Sequence, residues 1–121
     1  MRSPSPLADP LESVFQKDVI ELAHTLGWRV AHFRSVETKR QGWQTPVQAD
    51  GKGFPDLILV RDRVIAAELK RDRDKTGKDT RREPSVEQVE WLEAFRAAGV
   101  EAYLWRPSDV DEIFDILRRR A

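Results

Sequence analysis

The chain has 121 residues, of which 40% are hydrophobic and 35% are charged, so its length and composition fit one domain with one apolar core. The formal net charge is zero, which excludes a general attraction to nucleic acid and leaves only locally segregated charge as a source of such binding. The sequence has no cysteine, which excludes disulfide frameworks, thiolate zinc sites and cysteine nucleophiles and fits a reducing cytoplasm.

No segment is typical of export or of a membrane span. The apolar runs are shorter than the ~20 residues that a spanning helix needs, and the N-terminal Met-Arg-Ser-Pro-Ser-Pro lacks the apolar centre of a signal peptide. We therefore expect a cytoplasmic protein with no membrane contact. Residues 1–9 are rich in Ser and Pro and are expected to form a flexible tail before a single domain at 10–121.

The N-terminal half predicts a helix, a strand and a long loop. Apolar residues recur at helical spacing over 10–26, and Gly27 is a natural stop. Residues 28–34 alternate as a strand does. Residues 35–53 are polar and contain several glycines, so we expect a loop that borders the functional site.

The C-terminal half predicts a hairpin and then a helix, a strand and a helix. The β-prone runs 54–60 and 63–70 are separated by two residues, which favours antiparallel pairing. A helix start follows at Pro84-Ser85, a strand covers 100–105, and a last helix opens at Pro107. The order α-β-β-β-α-β-α favours an α/β fold with a mixed central sheet flanked by helices.

Two acids interrupt the apolar runs of the predicted hairpin. Burying an unpaired carboxylate is costly, so Asp56 and Glu68 should be neutralised, face water or bind a cation. Glu68 and Lys70 are two apart and share one face of a strand, while Leu69 faces the core. Hairpin pairing can bring Asp56 beside them, which forms an oxygen-rich site suited to Mg²⁺, with Lys70 next to the attacking water.

These residue types fit phosphodiester hydrolysis, in which a metal polarises the phosphoryl oxygen and a lysine orients water or neutralises developing charge. The alternative is an ordinary ion pair between Glu68 and Lys70, with Asp56 marking a strand end. An E-x-K triplet alone is a weak signal. Its combination with Pro55-Asp56 at hairpin spacing is a stronger one.

Pro55-Asp56, followed after eleven residues by Glu68-Leu69-Lys70, resembles the PD-(D/E)xK nuclease signature. More narrowly, the chain resembles the VRR-NUC branch of that superfamily over about residues 11–117. The matching features are Glu12 in the first helix, Gly27-Trp28, Gly53-Phe54-Pro55-Asp56, Glu68-Leu69-Lys70, and Gln88 with Trp91 in a later helix.

The resemblance implies a restriction-endonuclease-like core and a role for each matching residue. Asp56 and Glu68 would bind Mg²⁺ or Mn²⁺, with the Leu69 carbonyl as a further ligand, and Lys70 would assist the attacking water. Glu12 would complete the metal site, and the family places a residue like Gln88 within reach of it.

The first helix leaves alternatives open. Glu12, Gln16 and Glu21 are all candidates for facing the sheet, and a first-turn Glu12 is equally explained by the helix dipole. Gln88 on an amphipathic helix is otherwise a solvated residue. His32 and Arg34 share a strand face and are candidate phosphate contacts, although a lone histidine is more often structural.

Basic loops at about 36–52 and 70–82 are predicted to hold a nucleic-acid backbone. A charge run by itself more often marks a solvated surface. Trp43 is a candidate for stacking on an unpaired base, whereas the other tryptophans are expected to pack against the sheet. The candidate nucleic-acid-binding residues are Lys39, Arg40, Trp43, Lys52, Arg71, Arg73, Lys75 and Lys78.

The resulting hypothesis is a metal-dependent DNA endonuclease that leaves 5′-phosphate and 3′-hydroxyl ends, as the resemblance implies. No base-reading cluster is evident, so we expect selectivity for branched DNA, such as a Holliday junction, in replication, repair or recombination of a bacterium or phage. The resemblance also leaves a homodimer open. The alternatives are a non-catalytic nucleic-acid-binding module that retains the nuclease fold and an unrelated α/β domain.

Overall fold

The computed structural model describes residues 11–33 and 47–121, and also the backbone of the strand residues 36–38 and 42–44. The predicted tail at 1–9 therefore lies outside the described residues. The helices are α1 (Glu12–Thr25), α2 (Val86–Ala97) and α3 (Val110–Arg118). The strands are β1 (Arg29–His32), β2 (Val36–Thr38), β3 (Gly42–Gln44), β4 (Leu57–Val60), β5 (Val64–Leu69) and β6 (Glu101–Trp105). Short 3₁₀ turns cover Thr80–Arg82 and Pro107–Asp109.

Four strands form a mixed sheet in the order β1-β4-β5-β6. β4 pairs antiparallel with both β1 and β5, whereas β6 runs parallel to β5. The parallel pair is joined through α2, as a crossover between parallel strands requires. The predicted hairpin, the mixed sheet and the α/β class are confirmed.

Helices cover both faces of this sheet. On one face, the apolar residues of α1 and α3 pack against Leu57, Leu59, Ile65 and Leu69. On the other face, Leu92 of α2 packs against smaller side chains of β5 and β6. The strands alternate between the two clusters because successive side chains of a strand point to opposite faces. Within the described ranges, no helix combines the length and apolar character needed to cross a bilayer.

Two stretches differ from the expectation. The predicted loop at 35–53 contains β2 and β3, which pair antiparallel as a separate two-stranded sheet. Each has only three residues, too few for a periodic pattern to be recognised. The predicted strand at 54–60 begins at Leu57, because Phe54 packs against Trp91 instead, with ring centroids 5.0 Å apart. Trp91 therefore packs against this loop.

The turn between β4 and β5 has three residues, from Arg61 to Arg63, and not two. Arg61 donates hydrogen bonds to the carbonyls of Leu26 and Leu117 at 2.9 Å. Its guanidinium lies 4.5 Å from the centre of the Trp28 ring, and the Trp28 indole donates to Leu117 as well. The turn residues thus bind the C-terminal end of α3, where helix carbonyls need donors.

Candidate active site

Asp56 and Glu68 meet at one end of the sheet. Leu57 pairs with Ala67, so continuing the antiparallel register by one residue places Asp56 opposite Glu68. The backbone carbonyl of Asp56 accepts a hydrogen bond from the Phe33 amide at 2.8 Å. Its side chain accepts one from the Leu69 amide at 2.9 Å. Asp56 is therefore held by both neighbouring strands.

Glu68 and Lys70 lie on the face opposite Leu69, as their spacing predicts. Leu69 is fully buried in the α1–α3 core cluster. The Lys70 ammonium lies 3.9 Å from Oε2 of Glu68, whose side chain is 2% exposed. Oε1 of Glu68 is buried and has no hydrogen-bond partner among the described residues. A buried carboxylate oxygen without a donor is costly, and this oxygen is the main anomaly of the site.

Gln88 connects the first turn of α2 to Glu68. Its side-chain carbonyl accepts a hydrogen bond from the backbone amide of Ser85 at 2.8 Å. Ser85 Oγ in turn accepts one from the backbone amide of Gln88. This reciprocal pair is a capping box. The side-chain Nε2 of Gln88 then donates to Oε2 of Glu68 at 2.9 Å. The capping box and the hydrogen bond to Glu68 together hold the side-chain amide of Gln88 in one orientation.

The acids strongly affect each other's protonation. Burial raises the pKa of Glu68 well above its usual range, and the charge of Asp56 raises it further, against a smaller lowering by Lys70. Burial also raises the pKa of Asp56, although the hydrogen bond from the Leu69 amide opposes this. At neutral pH, two such carboxyls favour either a shared proton or a bound cation.

The structure brings Glu12, and not Gln16, to these acids. Glu12 begins α1, and its charge contributes to the raised pKa of both Asp56 and Glu68. It also lies beside Lys70 in a cleft of about 210 Å³. Gln16 and Glu21 lie instead on another cavity with His32.

The predicted nucleic-acid-binding residues are spread over different surroundings. The side chains of Lys39, Arg40, Trp43 and Arg34 lie outside the described residues. Lys52 is 3.0 Å from Glu87, and Arg73 is held by both carboxylate oxygens of Glu83. Arg71 lines the cleft beside Lys70. Lys75 and Lys78 are exposed.

Three residues of the same cleft were not singled out from the sequence. Asp79, Arg81 and Arg82 line it together with Arg71, Lys70 and Glu12. Arg81 and Arg82 fall within the predicted basic loop at 70–82. Their spacing from Asp79, at two and three residues, was the signal that an Asp-anchored turn could bring them together.

The donor set fits a hard divalent cation in part. Within residues 11–33 and 47–121, no group of three or more His, Asp or Glu side chains is arranged to hold a metal ion. Mg²⁺, however, commonly binds through one or two carboxylates and completes its shell with water and substrate phosphate. Asp56 and Glu68 supply that minimum, and the buried Oε1 of Glu68 lacks any other partner among the described residues.

No family model, no curated protein and no solved structure matches this chain. The likeness to the VRR-NUC family consequently rests on the residues and their order. Their geometry in the site is independent of that likeness.

Proposed function

We propose that this protein is a metal-dependent DNA endonuclease with a restriction-endonuclease-like core, of the VRR-NUC type. One observation carries the proposal. Glu68 is almost completely buried at a strand end, where it contacts Lys70 and Gln88, yet one of its oxygens has no donor among the described residues. Buried polar atoms are usually satisfied. Beside a second carboxylate the partner is either a shared proton or a cation, and we infer that a cation takes this place in the working protein.

Asp56 and Glu68 are the residues that would hold Mg²⁺ or Mn²⁺, with the Leu69 carbonyl as a further ligand and Glu12 as a nearby negative charge. The metal would supply Lewis-acid polarisation of the phosphoryl oxygen and a lower pKa for the attacking water. The Leu69 amide orients Asp56, and Gln88 orients Glu68. These bonds keep the two carboxylates in position before substrate arrives.

Lys70 acts on the reacting groups through its charge. Its ammonium is close to Glu68 and mostly buried, so its field is less screened than that of a surface lysine. It orients the attacking water and offsets the negative charge that develops on the phosphate. Attack of the water oxygen at phosphorus forms one P–O bond and breaks the bond to the 3′-oxygen. The water gives up one proton, and the leaving 3′-oxygen takes up one.

The test is a cleavage assay with linear duplex, single-stranded, flap and four-way-junction DNA, in Mg²⁺, Mn²⁺ or chelator. We expect cleavage only with metal, faster on branched DNA, and reduced about 100-fold or more by Lys70→Ala. Lys17→Ala, an exposed lysine on α1, serves as the matched control and should cleave normally. Cleavage in chelator, or an undiminished cleavage rate in Lys70→Ala, would contradict the mechanism. Metal-independent binding without cleavage would favour the non-catalytic alternative.

A further inference from the structure

A second charged cluster adjoins the carboxylates on the side of the basic loop. Its cleft of about 210 Å³ is below the ~300 Å³ at which pockets for drug-sized ligands begin. Two of its residues, Glu12 and Lys70, also belong to the carboxylate site, so the two sites share a border. The cleft is lined by Lys70, Arg71, Arg81, Arg82, Glu12 and Asp79. Four cations therefore surround this space against two carboxylates.

Asp79 organises the two arginines of this cluster. Its Oδ1 accepts from Nε of Arg81 at 2.9 Å, and its Oδ2 accepts from Nη2 of Arg81 and Nε of Arg82 at 3.1 Å. The hydrogen bonds from Arg81, with help from Arg82, hold the pKa of Asp79 well below its usual range. Asp79 thus stays ionised and fixes the direction of both guanidinium groups.

The loop that carries these side chains is itself anchored. Arg82 donates to the carbonyl of Asp72 at 2.8 Å, and the Ser108 amide donates to the Asp72 side chain at 3.0 Å. Arg106, which follows β6, donates to the carbonyl of Arg71 at 2.5 Å. The basic cluster is therefore preorganised against the sheet, which lowers the entropic cost of binding an anion.

Arg81 has an exposed donor nitrogen with which it can bind a ligand. Its side chain is 88% exposed, and the pairing with Asp79 uses Nε and Nη2 but not Nη1. A guanidinium presents several donors in a fixed plane, so one edge can hold a carboxylate while another contacts a phosphate. Arg73 is paired with Glu83 through the same two nitrogens, but it does not line the cleft.

We propose that the cleft between Lys70 and Arg81 is a phosphate subsite that holds a nucleic-acid phosphate next to the one being cleaved. The proposal rests on the proposed function for the position of the scissile phosphate, but not for the binding of a phosphate as such. Size, excess positive charge and the shared border with the carboxylates all favour a single phosphate group. The phosphate is either internal or at a 5′ end.

The test measures binding and not cleavage. Fluorescence anisotropy in chelator follows a 3′-labelled oligothymidylate of about eight nucleotides, within the usual site size for single strands. We expect Arg81→Gln to weaken binding several-fold and to reduce the slope of log Kd against log salt by about 0.7–1, as the loss of one phosphate contact does. Arg81→Lys keeps the charge and should keep most of that slope.

Arg118→Gln is the matched control, because Arg118 is also exposed and paired with an aspartate, at 3.0 Å, but lies on α3. A 5′-phosphate that strengthens binding only in the wild type and Arg81→Lys would assign the cleft to a terminal phosphate. Equal losses with and without a 5′-phosphate would assign it to an internal one. An unchanged slope in Arg81→Gln, or the same change in Arg118→Gln, would overturn the proposal.

The outcome separates the two proposals. A reduced salt slope in Arg81→Gln, without any metal-dependent cleavage by the wild type, would support the phosphate subsite and contradict the proposed nuclease function. Metal-dependent cleavage with an unchanged slope would remove the subsite alone. Circular dichroism of each variant establishes that the fold is intact.

Discussion

Glu68 is buried next to Asp56, with one oxygen bonded to Gln88 and the other without a partner among the described residues. Burial and the neighbouring charge both favour the protonated carboxyl. In the absence of metal, this residue therefore works against the stability of the fold whenever it is ionised. A cation bound to the ionised carboxylate would instead stabilise the fold. Stability measured in chelator and stability measured with metal therefore both depend on Glu68.

The raised pKa values of Asp56 and Glu68 predict that the protein becomes less stable as pH rises. Because the folded protein keeps protons on Asp56 and Glu68 that the unfolded chain releases above about pH 4, the free energy of unfolding should fall as pH rises through neutrality. Tm measured in chelator should decrease from about pH 5 to about pH 9. Carboxyls with a lowered pKa, such as Asp79, contribute their own change only below about pH 4 and do not mask it.

Glu68→Gln should flatten this dependence and raise Tm at about pH 8 by about 3 °C or more. Mg²⁺ or Mn²⁺ should stabilise the wild type more at about pH 8 than at about pH 6, because ligands must lose their protons to bind metal. The variant should gain little at either pH. A wild-type Tm in chelator that rises with pH would contradict the assigned burial effect.

At the scale of elements, the N-terminal turn of α2 is fitted against the loop before β4. Gly53 has φ +81°, and a Cβ there would lie 2.6 Å from the Glu87 carbonyl carbon and 2.7 Å from the Gln88 nitrogen. Trp91 donates to the carbonyls of Asp50 and Lys52 from one turn further along. The loop and α2 are consequently packed closely together, and this packing sets the position of Gln88.

Gly53→Ala should therefore affect both stability and chemistry. We expect a loss of about 2–3 kcal/mol in urea unfolding, from the positive φ and the backbone clash together, and a lower kcat because Gln88 is displaced. Gly77→Ala is the control, since Gly77 has φ +66° with no described heavy atom within 4 Å of the added Cβ. It should lose only about 1 kcal/mol. Equal losses in the two variants would show that the contact with α2 is unimportant.

At the scale of the whole molecule, the two ends of the β4–β5 hairpin differ in what their residues contact. The end at Asp56 and Glu68 carries the candidate chemistry. The turn at Arg61 binds the C-terminal end of α3 and the residue after α1. Because the turn is separate from the site, we expect a substitution at the turn to change stability without changing activity.

Arg61→Ala should lower the free energy of unfolding by about 2–3 kcal/mol. It removes hydrogen bonds to three carbonyls at helix ends, those of Leu26, Leu117 and Arg119, and the stacking on Trp28, and the side chain is only 9% exposed. Cleavage per folded molecule should not change. Arg118→Ala, whose side chain is 56% exposed in a surface ion pair, should cost less than about 0.5 kcal/mol. A parallel loss of activity in Arg61→Ala would mean that the two ends are linked.

The amino-acid sequence by itself determined the α/β class, the hairpin and the meeting of Asp56, Glu68 and Lys70. These depend on local rules, namely the two-residue period of a strand and the short connection of a hairpin, and both can be recognised in a short window. The predicted ends of strands were less accurate where a side chain packs outside the sheet, as Phe54 does before β4.

Only the tertiary structure decided between Glu12 and Gln16, joined Gln88 to Glu68, and gathered Arg81 and Arg82 beside Lys70. Each outcome depends on how a helix is rotated on the sheet or how a loop is anchored to a distant strand. Gln88 and Glu68 are twenty residues apart, and Arg106 holds Arg71 from thirty-five residues away. Local periodicity carries no information about such contacts, because they form only when separate elements pack together.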